Sequence, residues 1–225
     1  MMKKQLLDLF NTIPTFDNFI TINNFNVCQA LKNNDYNFIH ISGGKLNGKT
    51  HLLKSWVNSK LELNYEAIYL NDSTITEINM MRDLVKYYDY IAIDDIDLLN
   101  ENYQIELFDL FNVIKLNNLK KNLLTSSNFN FESNNNIRID LRTRILSGLN
   151  LTLKSPDDEE IMAILKLYIK NQGIAINDSE INYMINHYTR NIGSLINTIK
   201  KVVEIAILEN RNITIPFIKS VISII

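Results

Sequence analysis

The sequence has little cysteine, no long apolar run and no excess of positive charge, and each shortage excludes a class of protein. Cys28 is the single cysteine of 225 residues, which excludes an intramolecular disulfide framework and a zinc site built from cysteines. No apolar run approaches the roughly 20 residues that a membrane-spanning helix requires. The formal net charge of -2 provides no overall basic field of the kind that autonomous DNA binding uses. We therefore expect a cytoplasmic protein without membrane contact that does not bind DNA on its own.

The sequence does contain a complete phosphate-binding loop of the pattern G-x-x-x-x-G-K-[ST]. Its fixed positions are Gly43, Gly48, Lys49 and Thr50. Glycines let backbone N–H groups turn inward around phosphates, the lysine reaches the terminal phosphates, and the threonine hydroxyl serves Mg²⁺. An apolar run precedes the loop and a helical pattern follows it, which disfavours the alternative of a chance glycine-rich turn.

We assign nucleotide binding to the whole loop and to the start of the helix after it. The assigned residues are Gly43, Gly44, Lys45, Leu46, Asn47, Gly48, Lys49, Thr50 and His51. The positive end of this helix dipole points at the anion. Its predicted buried stripe is Leu52, Leu53, Trp56 and Val57.

Two carboxylates follow another apolar strand. Residues 88–97 read YDYIAIDDID, so that a short apolar run ends in Asp94 and Asp95. The carboxyl end of a buried parallel strand is where such a sheet meets its ligand. We expect Asp94 to hold the Mg²⁺ shell and Asp95 to orient or activate the attacking water. A solvated turn is the alternative, and the phosphate-binding loop argues against it.

Residues 120–128 read KKNLLTSSN and predict a further strand that ends in hydroxyl and amide side chains. Ser127 and Asn128 are therefore candidates to contact the γ-phosphate or to position the water. Satisfied turn residues are an equal alternative.

Strands alternate with helices until about residue 153, and only helical patterns follow. This order predicts an α/β P-loop fold, a parallel sheet flanked by helices, with a small C-terminal all-helical domain. We expect an N-terminal arm at 1–14, the nucleotide-binding domain at 15–153 and the helical domain at 154–225. The first C-terminal helix is expected to have Ser155 as its cap and Pro156 at its first helical position.

The segment before that boundary contains Arg138, Arg142 and Arg144. An arginine offered to the phosphate of a neighbouring molecule supplies charge to the transition state, because its guanidinium keeps its charge and forked geometry. Ordinary surface arginines are the alternative for any one of them.

Taken together, these motifs resemble the AAA+ domain of the DnaA family of bacterial replication initiators, and especially its short Hda paralogues. The matching segments are FDNFI at 16–20, GKTHL at 48–52, IDDI at 93–96, TS at 125–126 and LRTR at 141–144, followed by Gly148 and Leu149. The resemblance implies an adenine pocket that includes Phe19 and Ile20, a helical lid, and an arginine finger at Arg144 that acts in trans.

The sequence departs from the family pattern at two sensor positions. Ser127 stands where the family usually has an acidic residue, with Asn128 as a substitute, and Gly193 stands at the sensor 2 arginine. Arg190 is near but out of register. We therefore expect weak intrinsic ATP hydrolysis. We also expect no helix-turn-helix domain after the lid, which would favour Hda over DnaA.

The first ten residues resemble the peptide by which bacterial replication proteins dock on the sliding clamp, whose core reads Gln-Leu-x-Leu-Phe. The anchors are Gln5, Leu6, Leu9 and Phe10, with one extra residue between the glutamine and the Leu-Phe pair. Two registers stay open: a longer form of the motif, or Leu6 in the place of the glutamine. A first helix turn or a strap packed on the core is an equal alternative.

The resemblance implies a regulator that binds ATP or ADP with Mg²⁺, docks on the sliding clamp (the beta subunit of DNA polymerase III) and stimulates hydrolysis by ATP-bound DnaA. It would contact DNA only through the clamp and be nucleoid-associated in that way. One alternative is an ATPase or motor in its own right, and another is a nucleotide-binding adaptor that needs no clamp. A small-molecule kinase is disfavoured because no acceptor site is evident. Homo-oligomerisation stays open.

Overall fold

The structure is a computed structural model that describes residues 13–19, 23–33, 35–75, 80–128 and 136–223 of the chain. Within these residues, helices and strands alternate up to residue 152 and helices follow. The elements are α1 (Phe25–Asn33), β1 (Phe38–Ser42), α2 (Lys49–Glu62), β2 (Ala67–Leu70), α3 (Met80–Tyr87), β3 (Tyr90–Ile93), a 3₁₀ turn (Ile96–Leu98), α4 (Glu101–Leu116), β4 (Asn122–Ser127), α5 (Ile139–Leu146), β5 (Leu149–Thr152), α6 (Asp158–Asn171), α7 (Asp178–His187), α8 (Ile192–Glu209) and α9 (Ile215–Ile222).

The five strands form one parallel sheet in the order β2-β3-β4-β1-β5. This confirms the predicted parallel sheet. The strand β5 was not predicted, because its four residues alternate between half-buried and exposed and form no apolar run. Since all strands run the same way, the segments that follow them meet at one edge of the sheet.

Alternate residues of the strands enter two hydrophobic cores, one on each face of the sheet. Ile91, Ile93 and Leu123 pack with residues of α3, α4 and α5. Ala92 and Leu124 face the other way, against α1 and α2. The predicted stripe of α2 is buried in this second core: Leu52, Leu53, Trp56 and Val57. A sheet covered on both faces explains the near-continuous apolar strands.

The described residues divide into two compact units, one from 14 to 155 and one from 156 to 223. The helices α6 to α9 of the second unit enclose their own core around Leu165, Met184, Leu195 and Val202. Together with the sheet, this confirms the predicted α/β fold with an all-helical C-terminal part. None of the helices in the described ranges has the length and apolarity that crossing a bilayer would take.

The start of α6 corrects the sequence prediction. The helix begins at Asp158, and its cap is Asp157 rather than Ser155, so that Pro156 lies outside the helix. The Asp157 carboxylate accepts a bond from Glu160 N at 2.9 Å, and the Glu160 carboxylate accepts one from Asp157 N at 3.4 Å. This reciprocal capping box satisfies two N–H groups at the start of the helix. The Ser155 hydroxyl instead accepts a bond from Asn47 Nδ2 at 3.1 Å.

Candidate nucleotide-binding site

The phosphate-binding loop joins β1 to α2 at the carboxyl edge of the sheet. Gly48 immediately precedes α2 with a φ of 92°, in the left-handed region that favours glycine, and a Cβ there would lie 2.6 Å from Phe19 Cε2. A Cβ on Gly43 would lie 3.0 Å from the Cβ of Leu153. The two fixed glycines of the pattern thus provide backbone shape and close packing.

The buried side chain of Lys49 points into this loop. Its Nζ donates to the carbonyl oxygens of Gly43 and Gly44, each at 2.9 Å, and to Asn128 Oδ1 at 3.0 Å. Burial lowers the pKa of Lys49, and the carboxylates of Asp95, Asp94 and Asp97 oppose that shift. Among the described residues, no carboxylate bonds directly to this ammonium. A buried cation with neutral acceptors is suited to an anionic group such as a phosphate.

The Asp94 carboxylate is almost fully buried and accepts bonds from three side chains on different elements. Oδ2 accepts from Thr50 Oγ1 at 2.6 Å and from Tyr69 OH at 2.8 Å. Oδ1 accepts from Ser126 Oγ and from the Asp95 backbone N–H at 3.1 Å. The structure therefore brings together Thr50 and Asp94, the two residues that we expected to hold Mg²⁺.

Asp95, the expected water-orienting residue, connects to the loop lysine through Asn128. Asp95 has a φ of 48°, and Asn128 Nδ2 donates to its Oδ1 and to Asp97 Oδ2, each at 3.2 Å. Since Asn128 Oδ1 also accepts from Lys49, one amide spans the lysine and the carboxylates. Burial, and then the charge of Asp94, raise the pKa of Asp95.

Ser127 lies on the opposite face of the sheet from Ser126. Its Oγ lies 3.1 Å from His40 Nε2, while His40 Nδ1 lies 2.8 Å from Thr125 Oγ1. Burial lowers the pKa of His40 to about 3, so the imidazole is neutral at physiological pH. The Ser127 hydroxyl thus bonds within the sheet, and the β4 hydroxyl that donates to Asp94 is that of Ser126.

The segment before α1 packs against the loop and the first turn of α2. The ring centroids of Phe19 and His51 are 5.5 Å apart, and His51 Nε2 lies 3.0 Å from the Thr15 carbonyl oxygen. Burial lowers the pKa of His51. At the loop tip, Lys45 and Leu46 are exposed. Ile20, the other expected adenine-pocket residue, lies outside the described residues.

The three arginines of α5 and its cap differ in their partners. Arg138 bonds Asp140 at 2.8 Å and Glu101 at 3.1 Å. Arg144 is half-buried, and its guanidinium lies over the Phe108 ring, 5.7 Å from its centroid. Within the part of the chain that the structure describes, neither Arg142 nor Arg144 has a carboxylate at ion-pair distance.

In the helical unit, the residues considered for sensor 2 lie at the start of α8. Gly193 is half-buried in the first turn, which Asn191 caps by accepting a bond from Ser194 N at 2.8 Å. Arg190 bonds Asp158 of α6 at 3.1 Å. The clamp-binding anchors Gln5, Leu6, Leu9 and Phe10 lie outside the described residues.

Sequence reasoning missed three residues of this site. Tyr69 and Ser126 both donate to Asp94, and Asp97 accepts bonds from Asn128 N at 3.0 Å and from its side chain. The period-2 alternation of a strand could have separated Ser126 from Ser127. Finding Tyr69 required the pairing of β2 with β3, which aligns Tyr69 with Ala92 and so places it on the same face as Asp94.

Sequence comparison finds related proteins both for the helical unit and for most of the chain. The family model described as the lid domain of Hda matches residues 157–222. An uncharacterized protein of Haemophilus influenzae is 29% identical over 219 residues, which cover 93% of this chain and 94% of that protein. The DnaA initiator protein of Lachnoclostridium phytofermentans is also 29% identical, over 95% of this chain and 52% of its own length. The chain thus spans about half the length of that DnaA relative.

Solved structures give the same fold. Domain III of DnaA from Thermotoga maritima superposes with a TM-score of 0.82 at 22% identity, over 95% of this chain and 97% of that one. AMPPCP-bound DnaA from Aquifex aeolicus superposes with a TM-score of 0.71 at 25% identity, over 86% of this chain and 66% of that one.

A parallel sheet with a phosphate-binding loop at its carboxyl edge and a separate helical unit define a P-loop AAA+ protein with a lid. The sequence relatives and the match to a lid domain point to a narrower group within this class. The chain is similar to the DnaA initiator proteins, and its residues 157–222 match the lid domain of Hda.

Proposed function

We propose that this chain is an adenine-nucleotide-binding regulator of DNA replication initiation that works with the sliding clamp to stimulate ATP hydrolysis by DnaA. The observation that carries the proposal is the state of Arg144, which is half-buried over Phe108 and has no carboxylate partner among the described residues. The match of residues 157–222 to the Hda lid and the DnaA relatives support the proposed pathway.

The residues of the loop region would hold ATP or ADP. Lys49 would exchange its neutral acceptors for phosphate oxygens, and Phe19, with Ile20, would line the adenine side. The DnaA structure that contains AMPPCP supports this part of the proposal. The lid would be residues 154–225 and the nucleotide-binding domain residues 15–153.

The donor set of Thr50 and Asp94 fits Mg²⁺, which prefers hydroxyl, carboxylate and water oxygens. Thr50 Oγ1 and Asp94 Oδ2 already lie 2.6 Å apart. When bound, the ion would neutralise phosphate charge. Asp95, with Asn128, would orient a water molecule. Because the Ser127 hydroxyl bonds His40 within the sheet, Ser127 would support the site without contacting that water.

Arg144 would act in trans on the nucleotide of DnaA. Its ring contact fixes the side chain without neutralising it, so that the fork remains available to a phosphate of the partner. An arginine supplied in this manner contributes about 10³–10⁵ in rate in well-studied NTPases.

The test is the rate of ATP hydrolysis by DnaA in the presence of clamp-loaded DNA and this chain. Arg144→Ala is expected to lower the stimulation at least about 100-fold, with Arg144→Lys recovering little, because lysine lacks the bidentate fork. Arg211→Ala is the matched control, since Arg211 in the lid also lies over a ring, 4.9 Å from the centroid of Phe217. Full stimulation by Arg144→Ala would refute the finger assignment.

The N-terminal arm at 1–14 would dock on the clamp through Gln5, Leu6, Leu9 and Phe10, and the chain would thereby be located on DNA in the cytoplasm. Binding to the cognate clamp, measured by calorimetry, is expected to be lost in both Gln5→Ala and Phe10→Ala. If the wild-type chain binds nucleotide but not the clamp, the clamp-independent adaptor becomes the better explanation.

The connection from Lys49 through Asn128 to Asp95 favours a second candidate, an ATPase in its own right. Steady turnover by the isolated chain, abolished by Asp95→Asn, would establish that function. We expect turnover to be weak, because Gly193 provides no cation at the sensor 2 position.

A further inference from the structure

Asp94 accepts hydrogen bonds at both of its carboxylate oxygens. A carboxylate has about four lone-pair positions, and Asp94 receives four donors: Thr50 Oγ1, Tyr69 OH, Ser126 Oγ and the Asp95 backbone N–H. A metal ion, or a water molecule bound to one, that engages this carboxylate therefore competes with these donors.

The four donors are not equally displaceable. Thr50 is the expected partner of the metal itself, and the Asp95 N–H is part of the same backbone. Ser126 is fixed in the centre of the sheet, in β4, where it is fully buried. Tyr69 is a half-buried side chain on β2, the edge strand, and its hydroxyl is at the end of a long side chain.

Tyr69 is placed to bond Asp94 while no metal ion is bound. Its hydroxyl lies 2.8 Å from Oδ2, the oxygen that Thr50 also contacts, and Lys54 Nζ lies 4.9 Å from the centroid of its ring. A tyrosine hydroxyl is protonated at physiological pH and therefore donates this bond.

We propose that Tyr69 is a positioning residue that occupies Oδ2 of Asp94, the oxygen that Thr50 also contacts, and thereby weakens Mg²⁺ binding, so that the affinity for adenine nucleotide depends less on the metal than it would without this hydroxyl. This inference rests on the proposed nucleotide site and deepens it. Tyr69 touches neither the phosphate-binding lysine nor the loop glycines among its described contacts, so metal-free nucleotide affinity should not depend on its hydroxyl.

The experiment is calorimetric titration of the full chain with ADP, once with Mg²⁺ and once with EDTA. The measured quantity is the metal coupling ratio, the Kd in EDTA divided by the Kd in Mg²⁺. Tyr69→Phe removes the hydroxyl and keeps the ring under Lys54. We expect its coupling ratio to be roughly 10- to 100-fold larger than that of the wild type, with the Kd in EDTA within about twofold, as for one lost bond to a carboxylate.

Tyr90→Phe is the matched control, because Tyr90 is a strand tyrosine at the other end of the neighbouring strand β3, and its coupling ratio should equal that of the wild type. Thermal unfolding of each variant shows that it is folded. An unchanged ratio in Tyr69→Phe, or an equal loss of affinity in both buffers, would overturn the Tyr69 assignment and leave the nucleotide site standing. If the wild-type chain binds no ADP in either buffer, the proposed site itself is wrong, and this inference is overturned with it.

Discussion

Single polar residues buried within the sheet set the chemistry near the nucleotide site. His40 on β1 is 2% exposed and bonds Thr125 and Ser127 of β4. It thereby joins the strand that leads into the phosphate-binding loop to the strand that ends at Asn128. A neutral imidazole can satisfy both hydroxyl groups, whereas an imidazolium has no acceptor and would be buried as a charge.

We predict that His40 makes the protein sensitive to acid. Its pKa is about 3 in the folded state against an ordinary value of 6.5, so the unfolded chain binds more protons between these values. The contribution of His40 to the free energy of unfolding should therefore be greatest above about pH 6.5 and decrease as the pH drops toward 3. His40→Gln should cost about 1–3 kcal/mol at pH 7.5 and flatten this fall, as measured by urea unfolding from pH 7.5 to 4.5.

The control for this prediction is His187→Gln, which makes the same change at an exposed histidine of α7. It should leave the pH profile of unfolding as in the wild type. A profile for His40→Gln that parallels the wild type would contradict the assignment.

At the scale of elements, helix starts and sheet edges position the functional groups. α2 begins directly at the phosphate-binding lysine, because Gly48 ends the loop in a left-handed conformation. α5 follows Arg138, whose backbone N–H donates to the buried amide oxygen of Gln104 at 2.9 Å. That bond attaches the arginine-bearing helix to α4 and so fixes where Arg144 is presented.

We predict that the capping box of α6 can be detected by a pair of substitutions. Asp157→Ala should lower the free energy of unfolding by about 1 kcal/mol, because Glu160 N loses its acceptor. Ser155→Ala should change it by less than about 0.5 kcal/mol, because the serine is not the cap. Urea unfolding of both variants is the measurement, and a larger effect of Ser155→Ala would restore the serine cap.

At the scale of the whole molecule, the chain has two units with separate cores, and the proposed nucleotide site is built from the first. Lys49 is central to that site, because its buried ammonium bonds uncharged oxygens and an anionic ligand would neutralise its charge. Binding of a ligand to the folded state alone stabilises that state by mass action.

We predict that ADP at about 100 times its Kd stabilises the chain by about 2.7 kcal/mol, which corresponds to a rise in Tm of roughly 5–10 °C. Lys49→Met should abolish the rise, as followed by differential scanning calorimetry. Lys60→Met is the matched control: Lys60 belongs to the same helix, but its Nζ lies over Tyr90, 4.9 Å from the ring centroid. An equal rise in Lys49→Met and wild type would show that the ligand binds elsewhere.

The sequence by itself determined the order of elements and the type of site, because both depend on local chemistry. Glycine spacing and the lysine that follows identify the phosphate-binding loop, helical spacing places the stripe from Leu52 to Val57, and an apolar run followed by two aspartates identifies the carboxylate edge. These signals act over a few residues and are therefore present in the chain before it folds.

Only the tertiary structure decided which side chains meet across elements. The pleat of β4 turns Ser126 to Asp94 and Ser127 to His40, and the pairing of β2 with β3 brings Tyr69 to the same carboxylate. The Ser155 hydroxyl likewise bonds Asn47 of the phosphate-binding loop, which is far from it in the sequence. Strand order and register arise from the burial of both sheet faces together, so residues far apart in the sequence become neighbours that no local pattern specifies.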